Sequence, residues 1–194
     1  SAALSISQAD HPKKKIILSE RTNFPTDLYI AEALCKERGF SLKLVEAEAL
    51  QTALQQDVAV LMLTHVNYRT GAMLNMKDMT ASAHSVGALT VWDLAHSAGA
   101  VPVDLNGSQA DFAVGCGYKY LNGGPGAPAF VWVHPKHTDR FWQPLSGWWG
   151  HAAPFEFTPD YKPAAGISRY QCGTQPVLSL TALDTALDVF LEVE

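Results

Sequence analysis

Two residues that each follow a short apolar run are the best suited to chemistry in this chain. Asp93 follows the run 89–92, and Lys119 follows the next apolar run, 112–114. A lysine amine can form an imine with an aldehyde, and a carboxylate beside a ring nitrogen keeps that nitrogen protonated as an electron sink. The pair therefore matches the two groups that pyridoxal phosphate (PLP) needs from a protein.

The surroundings of Lys119 favour a ligand site without deciding it. Lys119 lies between Gly-Cys-Gly-Tyr and Tyr-Leu-Asn-Gly-Gly-Pro-Gly. Glycines let backbone approach a ligand closely. Most lysines, however, are solvated surface residues. On these residues alone, the cofactor lysine and the surface lysine both remain open.

Polar and aromatic residues follow four of the predicted strands. If the sheet is parallel, the carboxyl ends of these strands meet at one edge, where open α/β sheets bind ligands. Phe24 is by default a core residue, although its place before a helix also suits stacking on a planar ring. His96 is by default structural, and the absence of HxxxH spacing predicts no metal site. The residues expected to converge are Glu20, Asn23–Asp27, Thr64, His65, Asn67, Tyr68, Asp93, His96, Gly117, Tyr118 and Lys119.

The elements that would position these residues are strands alternating with helices, which predicts an α/β fold with a mainly parallel sheet. Residues 143–166 are rich in Pro, Gly and Trp and are predicted to be irregular. The predicted strands are 16–18, 41–45, 58–63, 89–92, 112–114 and 129–133. The predicted helices are 27–38 with Thr26 as N-cap and Gly39 as C-cap, 46–55, 76–85 closed by Gly87, and one that begins near Pro176.

Composition narrows the class of protein. The chain has 194 residues, of which 47% are apolar and 17% charged, enough for one domain with a sizeable core. It has no apolar run of membrane-spanning length, and its net charge of −5 gives no reason to expect a nucleic-acid partner. Its three cysteines are widely spaced, which predicts neither disulfides nor zinc and favours a reducing cytoplasm.

Several segments together resemble kynureninase. The Asp-x-x-His and lysine motifs alone are typical of the wider group of fold-type I PLP enzymes, which includes cysteine desulfurases and related aminotransferases. Tyr-Lys-Tyr-Leu-Asn and Gly-Trp-Trp-Gly-His narrow the resemblance to kynureninase. The matching segments are 23–27, 68–71, 93–99, 117–126 and 147–151, and the resemblance covers essentially the whole chain.

The resemblance implies a fold and a set of roles. The fold would be the large domain of fold-type I (aspartate aminotransferase-like) enzymes, with helices on both faces of the sheet. Lys119 would hold PLP as a Schiff base, Asp93 would pair with the ring nitrogen, and Tyr118 would contact the phosphate and serve in proton transfer. The other implied cofactor contacts are Phe24, Pro25, Thr26, Asp27, Thr64 and His96, joined by Trp148 and Thr174, which would reach the phosphate of the neighbouring subunit in a homodimer.

The resemblance also implies the reaction. Kynureninases hydrolyse L-kynurenine, or 3-hydroxykynurenine, to anthranilate or 3-hydroxyanthranilate and L-alanine in tryptophan catabolism. They are longer at both ends, so residues 1–194 are expected to be the PLP-binding large domain. An N-terminal segment and a C-terminal small domain carrying the arginine for the substrate carboxylate would then lie outside the sequence. Two alternatives remain open: a desulfurase or class V aminotransferase-like enzyme, and a truncated chain that folds and dimerises without catalysis.

Overall fold

A six-stranded sheet with helices packed against it organises the computed structural model, which describes residues 1–192. The strands are β1 (Ile16–Glu20), β2 (Ser41–Val45), β3 (Val58–Thr64), β4 (Leu89–Asp93), β5 (Phe112–Cys116) and β6 (Ala129–Val133). The α-helices are α1 (Ala2–Asp10), α2 (Pro25–Arg38), α3 (Leu50–Ala53), α4 (Met76–Ser85) and α5 (Val177–Leu191). Short 3₁₀ turns cover Ala47–Ala49, Pro135–His137, Trp148–Gly150, Pro154–Glu156 and Gly166–Tyr170.

The strand order places a topological switch between β1 and β3. The order is β2-β1-β3-β4-β5-β6, in which the first five strands run parallel and β6 is antiparallel to β5. The chain leaves β1 toward one edge of the sheet and returns to β3 on the other side of β1. A crevice forms at such a point, outside the carboxyl ends of the strands. The predicted mainly parallel sheet is confirmed.

Both faces of the sheet are covered, as predicted. On one face Leu61 and the fully buried Trp92 pack with residues of α3 and α4. On the other face Val60 packs with Leu4 of α1 and Ala31 of α2. Because both faces are buried, β3 is apolar along its length rather than alternating.

Two local predictions are wrong and one helix is missing from the prediction, each for a physical reason. Thr26 is not an N-cap: α2 begins earlier, with Phe24 as N-cap and Pro25 at the first helical position, where a missing N–H costs nothing. The single helix predicted over 46–55 is a 3₁₀ turn followed by α3, since burying Leu50 and Ala53 requires only one turn. Helix α1 was not predicted, because it has no side-chain cap that would mark its start.

The other boundaries agree closely with the sequence pattern. Gly39 ends α2 in the left-handed conformation, with φ of 69°. Helix α4 covers the predicted residues, and its cap Asn75 accepts a hydrogen bond from the backbone N–H of Asp78. Residues 143–166 contain only 3₁₀ turns and loops, as predicted.

Candidate functional site

The amine of Lys119 lies against the imidazole of His96. Lys119 follows the end of β5, is half-buried, and places Nζ 3.0 Å from Nε2 of His96. Burial, and then the charge of Lys119, lower the pKa of His96. A neutral imidazole can accept a hydrogen bond, and an ammonium can only donate one. Nε2 of His96 therefore accepts from Lys119 and fixes the direction of the amine.

The Asp-Leu-Ala-His-Ser-Ala-Gly turn reaches Lys119 because it ends in glycine. Gly99 has φ of 85°, and a Cβ there would lie 2.4 Å from the carbonyl oxygen of Tyr120. Any larger residue would force the two segments apart. Gly99 thus lets the turn that carries His96 pack directly on the segment that carries Lys119.

An aromatic wall stands beside the amine. The ring centroid of Phe24 lies 5.6 Å from Nζ of Lys119, and the ring is 37% exposed. Phe24 is therefore a wall of the crevice rather than a core residue. Its edge contacts Tyr68 at 5.3 Å between centroids, and Tyr68 stacks on His96 at 6.1 Å. Residues that follow β1, β3, β4 and β5 thus meet at one place, as the sequence predicts.

Two carboxylates form the acidic part of the site. Asp93 ends β4, is 9% exposed, and accepts a hydrogen bond from the N–H of Ala95 at 2.8 Å. Asp27 lies in the first turn of α2. Burial, and then the charge of Asp93, raise the pKa of Asp27 to about 6, against a smaller opposite effect of Lys119. The two carboxylates therefore carry more negative charge than the amine of Lys119 can balance. Such a site suits a ligand with a protonated ring nitrogen.

The carboxylates also border an apolar cavity. A space of about 250 Å³ lies between α1, α2 and the sheet, and both Asp27 and Asp93 line it. Most of the other lining residues are aliphatic, such as Leu4, Ile17 and Val91. This low-polarity surrounding explains why burial is the main cause of the raised pKa of Asp27.

Three further predicted site residues, Tyr118, Thr64 and Thr26, differ in exposure and in hydrogen bonding. Tyr118 is 50% exposed, and its ring centroid lies 5.5 Å from Nζ of Lys119. Thr64 is buried and its hydroxyl donates to the carbonyl oxygen of Val66 at 3.1 Å, so it is engaged within its own turn. Thr26 is exposed in the first turn of α2, directly after Pro25.

Trp148 and Thr174 belong to a different region of the chain. Among the described residues, Trp148 has its aromatic contacts with Trp149, Phe155 and Phe157 rather than with the residues around Lys119. A Cβ at Gly147 would lie 1.8 Å from the carbonyl oxygen of Cys172, so the Gly-Trp-Trp-Gly-His segment packs on the segment that carries Thr174. The structure thus brings these two predicted contacts near each other.

Sequence reasoning gave no role to Tyr68 or to the residues that hold it. The sequence places Tyr68 after β3 and in a segment that resembles the family, but does not show that it contacts both Phe24 and His96. The position after β3 is informative, because β3 borders the topological switch between β1 and β3. Spacing could not show which of the four residues after that strand faces the crevice.

Neither a metal site nor a membrane-spanning helix is found in the described part of the chain. Within residues 1–192, no group of three or more His, Cys, Asp or Glu side chains is placed to hold a metal ion. No helix in that part of the chain is long and apolar enough to cross a membrane.

The fold and this site define the class of protein. The family model of the class-V aminotransferases matches residues 1–194, and the chain belongs to that family. Among curated proteins, the chain is 56% identical to the kynureninases of Burkholderia mallei (strain SAVP1) and Burkholderia pseudomallei (strain K96243), and 55% identical to that of Pseudomonas fluorescens. Each match covers 100% of this chain and 47% of the relative, so the chain spans about half the length of the kynureninases it matches.

Solved structures share the fold at low identity. The apo cysteine desulfurase from Thermococcus onnurineus NA1 has a TM-score of 0.79 and 20% identity, over 99% of this chain and 50% of that one. A mutant of C-DES with glycine covalently linked to its PLP cofactor has a TM-score of 0.82 and 19% identity, over 100% of this chain and 54% of that one. The predicted fold class, the large domain of fold-type I enzymes, is confirmed.

Proposed function

We propose that residues 1–194 form the cofactor-binding large domain of a PLP-dependent kynureninase. The reaction is hydrolysis of L-kynurenine, or of its 3-hydroxy form, to anthranilate or 3-hydroxyanthranilate and L-alanine. The observation that carries the proposal is the convergence of Lys119, His96, Asp93 and Phe24, in a chain 56% identical to kynureninases along its whole length.

The residues of the site fit PLP as cofactor. Lys119 offers an amine that a neutral imidazole orients, which suits condensation with an aldehyde. Asp93, with Asp27 beside it, supplies the negative charge that a protonated ring nitrogen requires. Phe24 presents an exposed ring on which a pyridine can stack. Membership of the class-V family and the PLP-bound fold neighbour support the same cofactor.

The chain's own residues divide the work of the reaction. Bound PLP supplies an electron sink that stabilises negative charge on the substrate. Lys119 Nζ takes the proton from the α-carbon, and His96 keeps that amine in place. Tyr118 lies half-exposed beside Lys119. Its hydroxyl binds the cofactor phosphate and serves as a proton donor or acceptor for the substrate. Water adds to the γ-carbonyl carbon and the Cβ–Cγ bond breaks, so that the hydroxyl stays on the anthranilate. Cβ gains one proton and Cα regains the one that Lys119 removed, which gives alanine.

The proposal also concerns parts of the assembly beyond this domain. The arginine for the substrate carboxylate belongs to the small domain, outside these residues. The protein acts as a homodimer in which Trp148 and Thr174 reach the partner's PLP phosphate. Cys35, Cys116 and Cys172 are free thiols, which fits the reducing cytoplasm as its location.

A cysteine desulfurase is the second candidate, because structures of that class share the fold. Such an enzyme needs a mobile thiol that reaches the lysine. Cys172, the exposed cysteine, accepts a hydrogen bond from Nε2 of Gln143 at 3.3 Å and lines a groove along β6 with Thr174. This position favours kynureninase over desulfurase.

The test is a product assay on the purified, PLP-saturated protein. We expect L-kynurenine or 3-hydroxykynurenine to give the corresponding anthranilate, detected by fluorescence, with one alanine per anthranilate. Sulfur release from cysteine without any anthranilate would favour the desulfurase. A protein that gains no visible absorbance band when PLP is added would favour the non-catalytic alternative.

A further inference from the structure

Tyr68 occupies the centre of the aromatic contacts around Lys119. Its ring meets the edge of Phe24 at 5.3 Å, with an interplanar angle of 78°. Its other neighbour is the imidazole of His96, stacked at 6.1 Å with an interplanar angle of 28°. Tyr68 is therefore an aromatic side chain that contacts both Phe24 and His96.

The stacked ring limits how His96 can rotate. An imidazole that turned about its Cβ–Cγ bond would move Nε2 away from Nζ of Lys119, which it now contacts at 3.0 Å. The ring of Tyr68, stacked on the imidazole at 6.1 Å between centroids, occupies the space on one side of it and so restricts that rotation. The direction of the Lys119 amine thus depends on Tyr68 through His96.

Tyr68 is itself held by its neighbour Arg69. Nε of Arg69 donates to the hydroxyl of Tyr68 at 2.8 Å, and the guanidinium lies 5.4 Å from the ring centroid. This contact fixes the outer end of the tyrosine on the exposed side of the crevice.

Asn67 anchors the turn that carries Tyr68. Asn67 is 5% exposed, and its side-chain oxygen accepts from the backbone N–H of Arg69 at 2.9 Å. Its side-chain nitrogen donates to the hydroxyl of Thr22 at 2.9 Å and to the buried carboxylate of Glu20 at 3.3 Å. One buried amide therefore joins the turn after β3 to the loop after β1.

The loop after β1 carries the other aromatic, Phe24. The N–H of Phe24 donates to the side-chain oxygen of Asn23 at 2.6 Å, and Asn23 in turn donates to the hydroxyl of Ser19 at 3.1 Å. Because both loops are tied by buried hydrogen bonds, the distance between Phe24 and Tyr68 is set before any ligand binds.

We propose that Tyr68 is a positioning residue of the cofactor site, which acts through His96 on the amine of Lys119 and is held in place by Asn67 and Arg69. The inference rests on the proposed function in one respect, namely that Lys119 condenses with PLP. It adds to that function a residue that orients the amine without itself taking part in the reaction.

The test compares Tyr68→Leu with Tyr68→Phe, and uses Tyr29→Leu as the matched control, because Tyr29 lies on α2 and is 67% exposed. We expect Tyr68→Leu to raise the Kd for PLP about tenfold, measured by quenching of tryptophan fluorescence, equivalent to about 1.4 kcal/mol. Tyr68→Phe, which keeps the ring, should stay within about threefold of the wild type, since it loses one partly exposed hydrogen bond.

The second readout separates positioning from simple packing. With PLP bound to Lys119, His96 would be placed to accept a hydrogen bond from the protonated nitrogen, as it is from the free amine. The midpoint of the visible absorbance titration should therefore move to lower pH in Tyr68→Leu and stay unchanged in Tyr29→Leu. Arg69→Gln, which leaves the ring intact, should move the midpoint in the same direction by a smaller amount and serves if Tyr68→Leu does not fold.

Two results would decide against the proposal. Wild-type Kd and titration midpoint in a folded Tyr68→Leu protein would overturn it, as would an unchanged midpoint in Arg69→Gln if Tyr68→Leu is unfolded. Failure of the proposed function looks different: the wild-type protein itself would gain no visible band with PLP, or would gain one and form no anthranilate.

Discussion

At the scale of the residue, the carboxylates are what most clearly prepare the site for a cation. The resemblance implies that Asp27 lies near the cofactor, but nothing in the chain order shows that its carboxylate approaches Asp93. The fold brings these acids of α2 and β4 together beside an apolar cavity, and the pKa of Asp27 rises to about 6. Lys119 and Asp93 could be proposed as site residues from the sequence because Asp93 ends β4 and Lys119 comes soon after β5.

The raised pKa of Asp27 predicts how the cofactor-free protein responds to pH. The folded state binds the Asp27 proton more tightly than the unfolded state, whose ordinary value is 3.8, so this stabilisation is complete below 3.8 and is lost as pH rises through about 6. We expect Asp27→Asn to gain stability relative to wild type at about pH 7.5 but not at about pH 4, by about 1–2 kcal/mol after allowing for partial exposure.

Thermal unfolding of the two apo-proteins across this pH range measures the effect. Added PLP serves as the control. Its protonated ring nitrogen favours the Asp27 carboxylate, so with PLP bound the wild type should be more stable than Asp27→Asn, and Asp27→Asn should bind PLP more weakly. An identical pH dependence in both apo-proteins would show that Asp27 is not buried against Asp93.

At the scale of the element, one buried carboxylate ties together the amino ends of the strands, far from the site. Asp111 is fully buried and accepts from the N–H of Thr90 at 2.9 Å, from Nε2 of His84 and of His137 at 2.8 Å each, and from Nζ of Lys136 at 3.0 Å. Although burial raises its pKa, the hydrogen bonds from His137 and His84 outweigh this and hold the pKa well below its usual range. Helix α4, β4, β5 and the turn after β6 are thereby joined.

Asp111→Asn should lower the free energy of unfolding by about 3 kcal/mol, since it removes the charge from a fully paired buried group. Asp10→Asn is the matched control, because Asp10 pairs with Arg140 at the surface at 2.6 Å and such pairs contribute about 1 kcal/mol or less. Urea unfolding at neutral pH measures both. Equal losses in the two variants would refute the role given to Asp111.

The elements also show where sequence reasoning stops. A continuous apolar run predicted β3, because a strand buried on both faces carries that pattern. The partners of Asp111 escaped prediction, because His84, Thr90 and His137 come from separate segments and share no spacing. The predicted start of α2 is wrong because Thr26 has the residue type of a cap, whereas the helix already begins at Pro25, whose ring fixes φ.

At the scale of the whole molecule, the segment around Trp148 presents aromatic surface. Trp148 is 38% exposed, and its neighbours Phe155 and Phe157 are 70% and 73% exposed. Aromatic residues clustered in this way are typical of protein interfaces. The sequence predicted a homodimer from the resemblance, and the exposed cluster supports it.

We expect a homodimer by light scattering, in which Trp148→Ala weakens PLP binding more than Trp149→Ala does. The reason is that Trp148 would reach the partner's phosphate, whereas Trp149 would serve packing alone. PLP titration of both variants measures the difference. A wild-type monomer that binds PLP no more tightly than the variants would contradict the shared site.

Lys119 is proposed as the residue that bonds to PLP, and borohydride reduction can identify the bonded lysine. Reduction of the PLP-loaded protein converts the imine into a stable amine, which proteolysis and mass spectrometry then assign to one lysine. We expect the phosphopyridoxyl mass on the peptide that contains Lys119, and its loss in Lys119→Ala. The label on another lysine, such as the exposed Lys162, or on none, would show that Lys119 does not hold the cofactor.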